Sequence, residues 1–122
     1  MINKLYTICL LVRDFDASMA FYKDNLGLEL NSQDTGFADF KLEGTSLAIF
    51  EKKTAEAMFP GKYMNSGGSA VLAIQVEDFD KAVNDLKAKN INIFEGPKTT
   101  AWGQTVLYFL DPDKNIWEVS KK

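Results

Sequence analysis

Apolar and polar positions along residues 4–12 read as a strand rich in Leu, Ile and Val. Phe15, Met19, Tyr22 and Leu26 then recur at helical spacing, behind Asp14 or Asp16 as N-cap. Gly27 ends that helix as its C′ residue. Strands follow at 28–33, 37–42 and 47–51. In the middle one Ala38, Phe40 and Leu42 take one side, and Asp39 and Lys41 the other. Glu43-Gly44 turns the chain between the last two. Residues 52–69 read as a connector with one helical turn near 54–59, broken at Pro60-Gly61 and loosened by Ser66-Gly67-Gly68-Ser69.

The pattern then begins again. Residues 70–76 form a strand, and Asp78 caps a helix whose face is Phe79, Ala82, Val83 and Leu86. A short strand at 91–94 runs into Gly96-Pro97 and a loop through Thr99, Thr100, Ala101, Trp102 and Gly103. Strands at 104–110 and 116–119 flank the turn Asp111-Pro112-Asp113-Lys114-Asn115, where Pro112 fixes φ and the Asp and Asn side chains can bond nearby backbone. In the last strand Glu118 shares a face with Ile116 and Ser120, while Trp117 and Val119 take the other. Val12-Arg13-Asp14-Phe15-Asp16 and Val76-Glu77-Asp78-Phe79-Asp80 share V-x-D-F-D, and the following helices align without a gap. The element order repeats with them, so the chain reads as an internal duplication of strand, helix and three strands.

Composition narrows the function. The chain has 122 residues, the size of one domain. A net charge of −3 argues against a nucleic-acid partner, which needs a basic face. The single cysteine, Cys9, excludes an internal disulfide and suits a reducing compartment. Residues 1–16 read as a strand rather than a signal peptide, and no apolar stretch reaches membrane-spanning length; a cytoplasmic protein without a membrane partner is expected. Histidine is absent, which removes Ser-His-Asp and Cys-His catalysis and any histidine-ligated metal. Neither GxGxxG nor GxxxxGK[ST] occurs.

The stretch VRDFDASMAFYKDNLGLEL at 12–30 looks like the V-x-D-x-x-x-S-x-x-F-Y-x-x-x-L-G signature of the vicinal oxygen chelate superfamily. The stretch YFLDPDKNIWE at 108–118 is similar to its D-P-D-G-N-x-x-E ending. That superfamily includes glyoxalase I, extradiol dioxygenases, fosfomycin resistance proteins and bleomycin-binding proteins. With the repeat, the resemblance spans nearly the whole chain. It implies an α+β fold of two tandem βαβββ modules forming a curled mixed sheet around a cleft. The modules would be about 1–53 and 70–122 in a single glyoxalase-like domain, with a connector at 54–69, and the protein a homodimer.

Enzymes of the superfamily hold a divalent metal through four strand positions, which the resemblance carries onto Thr7, Ala48, Val71 and Glu118. Only Glu118 is a usual ligand; valine and alanine side chains offer no lone pair, so a metal-free member without a cofactor is expected. Strand parity with Thr7 brings Cys9 and Leu11 to the cleft, with Ala48 and Phe50, and with Val71, Ala73 and Gln75. Tyr108 matches a position that contacts ligand in the fosfomycin branch, with Val106 and Gln104 on its face and Phe40 as its repeat partner. Trp102 is placed at the rim. The expected ligand-binding set is therefore Thr7, Cys9, Phe40, Phe50, Trp102, Gln104, Tyr108 and Glu118, an aromatic and aliphatic pocket with few polar groups.

Glu118 is the candidate catalytic residue, as a general base, against two other readings: a counter-ion for a cationic ligand, and the remnant of a ligand set held by internal hydrogen bonds. Cys9 reads as a small buried hydrophobe rather than a nucleophile, because no cation stands near to activate it. Trp117 reads as core, and Asp14, Asp16, Asp78 and Asp80 as helix caps and first-turn charges. The functional expectation is a metal-independent small-molecule binding protein of the bleomycin-resistance kind, sequestering a partly aromatic ligand. The alternative is a glyoxalase-like lyase or isomerase using Glu118 as general base or sole remaining metal ligand. A regulatory module with a decayed cleft is the third class.

Overall fold

A computed structural model describes residues 1–65 and 67–122, so Ser66 of the expected flexible stretch lies outside the described residues. The chain divides into two compact units, Met1–Ser66 and Gly67–Lys122, each with a four-stranded mixed sheet. Each unit has the order strand, helix and three strands, so the fold is α+β with two tandem modules. No helix among the described residues is long and apolar enough to cross a membrane.

In the first unit β1 (Ile8–Val12) starts later than its apolar pattern suggested. Pairing with β4 (Thr45–Glu51) begins at Ile8 and Leu47. Upstream only single ties remain, such as Ser46 N–H to the Tyr6 carbonyl at 3.0 Å. Asp14 rather than Asp16 caps α1 (Phe15–Met19), its carboxylate accepting from Ala17 N–H at 3.0 Å. The helix then widens into a π-helical turn, Ala20–Asn25, closed by Leu26 N–H to the Phe21 carbonyl at 2.8 Å. A π-turn holds one residue more than α-helical winding. Ser18, Phe21 and Tyr22 are the buried residues; of the expected stripe Tyr22 is fully buried, while Phe15, Met19 and Leu26 are half-buried.

The sheet runs β1-β4-β3-β2, with β2 (Glu29–Asp34) and β3 (Phe37–Leu42) antiparallel and β1 parallel to β4. Register places Leu47, Ile49, Ala38 and Phe40 on one face, all buried. Tyr22 of the helix meets Phe40 there, ring centroids 6.2 Å apart. Much of the expected connector belongs to this unit. A short helix, α2 (Lys52–Ala55), follows β4 directly and buries Ala55. A 3₁₀ turn, Gly61–Tyr63, lies beyond Pro60.

In the second unit β5 (Val71–Val76) leads to α3 (Phe79–Ala88), capped by Asp78 accepting from Lys81 N–H at 3.0 Å. Phe79, Val83 and Leu86 are its buried residues. The sheet runs β5-β8-β7-β6, from β6 (Asn92–Thr99), β7 (Thr105–Leu110) and β8 (Ile116–Lys121). Leu107, Phe109, Trp117 and Val119 share its buried face, and the Phe109 and Trp117 rings stack at 6.1 Å. The helix ends at Asn90, with φ 55°, and its counterpart Gly27 has φ 71°. Gly27 lies one residue farther from Asp14 than Asn90 does from Asp78, so the ungapped alignment of the two helices is corrected by the π-turn.

β6 also departs from expectation, continuing through Gly96-Pro97 instead of ending at Phe94. It is an edge strand with two register shifts, between Ile93 and Glu95 and between Glu95 and Lys98. Proline's missing N–H is tolerated at such an edge, and a bulge accommodates the extra residues. Gly96 has φ 88°, and a Cβ there would lie 2.8 Å from the Val106 carbonyl oxygen. Left-handed backbone costs a non-glycine residue about 1–2 kcal/mol before any clash. Gly96→Ala is therefore expected to lose about 2 kcal/mol of stability in chemical denaturation; an unchanged midpoint would contradict this packing.

Candidate functional site

On β8 Glu118 pairs with Ala73 of β5 on one side and Tyr108 of β7 on the other, and Tyr108 pairs with Glu95 of β6. The Tyr108 phenol donates to Glu118 Oε2 at 3.1 Å. The bulge in β6 brings the Phe94 ring beside Tyr108, centroids 6.1 Å apart and planes tilted by 34°. Lys98 Nζ stands 5.7 Å from the Tyr108 ring centroid and 3.5 Å from Glu95 Oε1. Val71, Ala73 and Gln75 on the same face are exposed, whereas Tyr108 and Glu118 are half-buried. Trp117 points the opposite way into the core, as parity predicted.

Desolvation first, then the hydrogen bond to Glu118 and the charges of Glu118 and Glu95, hold the Tyr108 phenol above the usual tyrosine range. A raised acid pKa means that the fold favours the neutral phenol. Its stabilising contribution is complete below the ordinary tyrosine pKa of about 10 and lost as pH rises through the folded value. In Glu118→Gln, Tyr108 is expected to ionise at lower pH than in wild type, yet still above free tyrosine because desolvation remains. Ultraviolet titration of tyrosinate, with Tyr108→Phe to assign the signal among four tyrosines, checks this. Identical titrations with and without Glu118 would sink it.

The other expected site residues divide. Gln104 is engaged in structure: its Nε2 donates to the Lys121 carbonyl at 2.8 Å and its N–H to Thr100 Oγ1 at 2.9 Å. Trp102 sits at the tip of the β6–β7 hairpin, 80 % exposed. In the first unit Cys9 pairs with Ala48, and Ala48 with Asp39. Thr7 Oγ1 donates to the Ser46 carbonyl at 3.4 Å. Phe50 shares the Cys9 face with Leu11 and meets Phe37 edge-on at 5.8 Å. Cys9 is exposed at the surface rather than buried as expected, and partial burial of its thiol pushes the pKa up, against thiolate chemistry.

Phe40 requires a correction. It pairs with Leu47, is fully buried and packs on Tyr22, so it belongs to the helix side and not with the ligand-binding residues. Its structural counterpart is Phe109; that of Tyr108 is Asp39, since Asp39 pairs with Ala48 as Tyr108 pairs with Glu118. A slip of one residue exchanges the two faces of a strand. Asp39, read from the sequence only as lying on the face opposite Phe40, accepts from Asn31 Nδ2 at 3.0 Å and from the Ser32 hydroxyl. Those bonds, Ser32's first, hold its carboxyl below the usual range. Phe94 and Lys98 were also missed, because Gly96-Pro97 signalled a loop where the edge strand continues.

Residues 4–119 match the Glyoxalase/Bleomycin resistance protein/Dioxygenase superfamily. The chain belongs to this superfamily. It is 33% identical to the uncharacterized protein YraH of Bacillus subtilis, over 97% of this chain and 98% of that protein. The metallothiol transferase FosB of Staphylococcus saprophyticus is 28% identical, over 98% of this chain and 77% of its own length. The crystal structure of a glyoxalase/bleomycin resistance protein/dioxygenase from Nocardioides superposes with a TM-score of 0.86 at 28% identity, covering 99% of this chain and 84% of that one.

The donor set in this superfamily member does not fit the metal that the resemblance implies. Of the corresponding positions, Thr7 and Ala48 stand in the first unit and Val71 and Glu118 in the second. Alanine and valine side chains have nothing to donate, the Thr7 hydroxyl is bonded to backbone, and Glu118 accepts from Tyr108. Among the described residues no group of three or more His, Cys, Asp or Glu side chains is placed to hold a metal ion.

Proposed function

We propose that this superfamily member binds a small, partly aromatic molecule against the Glu118 face of its second sheet, and does so without a metal. The carrying observation is the Tyr108–Glu118 hydrogen bond beside the Phe94 ring: flat apolar surface for stacking, with a carboxylate fixed at its edge. Aromatic walls with few convergent polar groups are the usual make-up of a small-molecule site. Sequestration needs shape and stacking and makes no demand on the missing donors. The homodimer and the cytoplasmic setting implied by the resemblance belong to the same proposal.

A second reading is a lyase, isomerase or transferase with Glu118 as base. It is supported by the hydrogen bond that Tyr108 donates to Glu118 and by the likeness to the metallothiol transferase FosB. Dissociation constants for a panel of flat aromatic compounds, charged and neutral, test the binding reading. At least one compound is expected to bind saturably and to weaken about tenfold or more in Tyr108→Leu, as removal of an anchoring aromatic does. No saturable binding across the panel, or binding indifferent to Tyr108, would refute it. Turnover of a bound compound that stops in Glu118→Gln would favour the enzyme.

A further inference from the structure

We infer that the Tyr108 ring is a receptor for flat organic cations, and that Lys98 is its built-in competitor. The inference rests on the binding reading above and adds the charge of the ligand. Lys98 Nζ lies 5.7 Å from the Tyr108 ring centroid, inside the range of about 6 Å over which an ammonium is attracted to an aromatic face. Glu95 holds that ammonium at 3.5 Å from one side. Glu118 lies at the edge of the same ring, and its second oxygen, Oε1, carries no hydrogen bond among the described residues. Phe94 widens the aromatic surface beside it.

The chain's own ammonium therefore stands over the Tyr108 ring with the Glu95 carboxylate beside it, while Glu118 and Phe94 border the same ring. Lys98 and Glu95 are each about half exposed, and ion pairs so exposed are weak and screened by salt. Lys98 can swing into water without breaking the strand ladder, because only its side chain is engaged. With Lys98 gone, the face presents two negative charges against none. A ligand carrying a positive charge on a flat ring system would then stack on Tyr108 and Phe94, take over the Glu95 carboxylate that Lys98 had used and meet Glu118 at the edge of the ring. The phenol, held protonated, remains a donor to Glu118 throughout the neutral range.

The test compares N-methylacridinium with acridine, at a pH where acridine is neutral, by fluorescence titration of wild type, Lys98→Met and Glu118→Gln. Wild type is expected to prefer the cation about fivefold, a preference that shrinks as salt is added. Lys98→Met is expected to bind N-methylacridinium about threefold more tightly and acridine unchanged, since one competing cation has been removed. Glu118→Gln is expected to lose most of the preference while its melting curve shows that it is folded. Equal affinities for the two probes in wild type, or a cation affinity that stays the same or falls in Lys98→Met, would overturn the inference. If acridine binds through Tyr108 but the cation has no advantage, this inference fails and the binding reading stands. If neither probe binds wild type or Lys98→Met, this inference fails, and the binding reading fails with it only when the rest of the aromatic panel shows no saturable binding either.

Discussion

Phe40→Ala is expected to lose about 3–5 kcal/mol of folding stability, the range for truncating a fully buried phenylalanine. Phe40 has no exposed surface, pairs with Leu47 and packs on Tyr22. Alanine would leave a cavity between the π-turn and the sheet that the surrounding strands cannot close. Against a total stability of order 5–15 kcal/mol, such a loss brings the fold near its limit. Phe40→Leu keeps most of the volume and is expected to lose less than about 1.5 kcal/mol, which makes it the variant for binding assays. Denaturant midpoints measure the first effect and ligand affinity of Phe40→Leu the second. Weakened affinity in Phe40→Leu with unchanged stability in Phe40→Ala would return Phe40 to the ligand-binding residues.

Asp111→Ala is the other large effect, about 3 kcal/mol. Asp111 is almost fully buried at the start of the β7–β8 turn. Its Oδ1 accepts from the N–H groups of Asp113 at 3.0 Å and Asn115 at 2.8 Å, and its Oδ2 from Asn115 Nδ2 at 2.9 Å. Hydrogen bonds to a charged group are worth about 1.5–3 kcal/mol each, and bonds sharing one carboxylate do not add in full. The turn also contains Lys114 at φ 64°, where the family signature has glycine, so these bonds hold a conformation that lysine disfavours. Asp111→Asn keeps one acceptor oxygen and is expected to recover part of the loss. A loss under about 1 kcal/mol for Asp111→Ala would mean that the turn is held by other contacts.

These residues also show what could be read from the chain. The Asp14 and Asp78 caps, the Gly27 stop and the Asp111 turn were legible because each acts through its own neighbours in sequence. The α+β duplication followed from their order. The π-turn was not legible: its extra residue leaves Phe21 and Tyr22 both buried, which a period of 3.6 cannot anticipate. Phe40 was misplaced because sequence similarity between the repeats is too weak there to set the register to within one residue, and only the ladder with β4 fixes the face. The surroundings of Tyr108 depend on bulges in an edge strand that carries Gly96-Pro97. Glycine and proline usually mark a strand's end, so the partnership of Phe94 and Lys98 with Tyr108 had no local signal.

The family signature at the chain's end pointed to Glu118 as one of a set of metal ligands. The structure places it instead in a hydrogen bond with Tyr108, with Thr7, Ala48 and Val71 offering no comparable donor at the matching positions. Ligand binding that needs no metal is the central claim. Its most direct test is the dissociation constant of one panel ligand for the whole protein, measured in chelator and again with zinc, nickel or manganese added. The expected result is the same value, within about twofold, under every condition. Binding that appears only with metal, or tightens about tenfold with metal and loses that gain in Glu118→Gln, would contradict it.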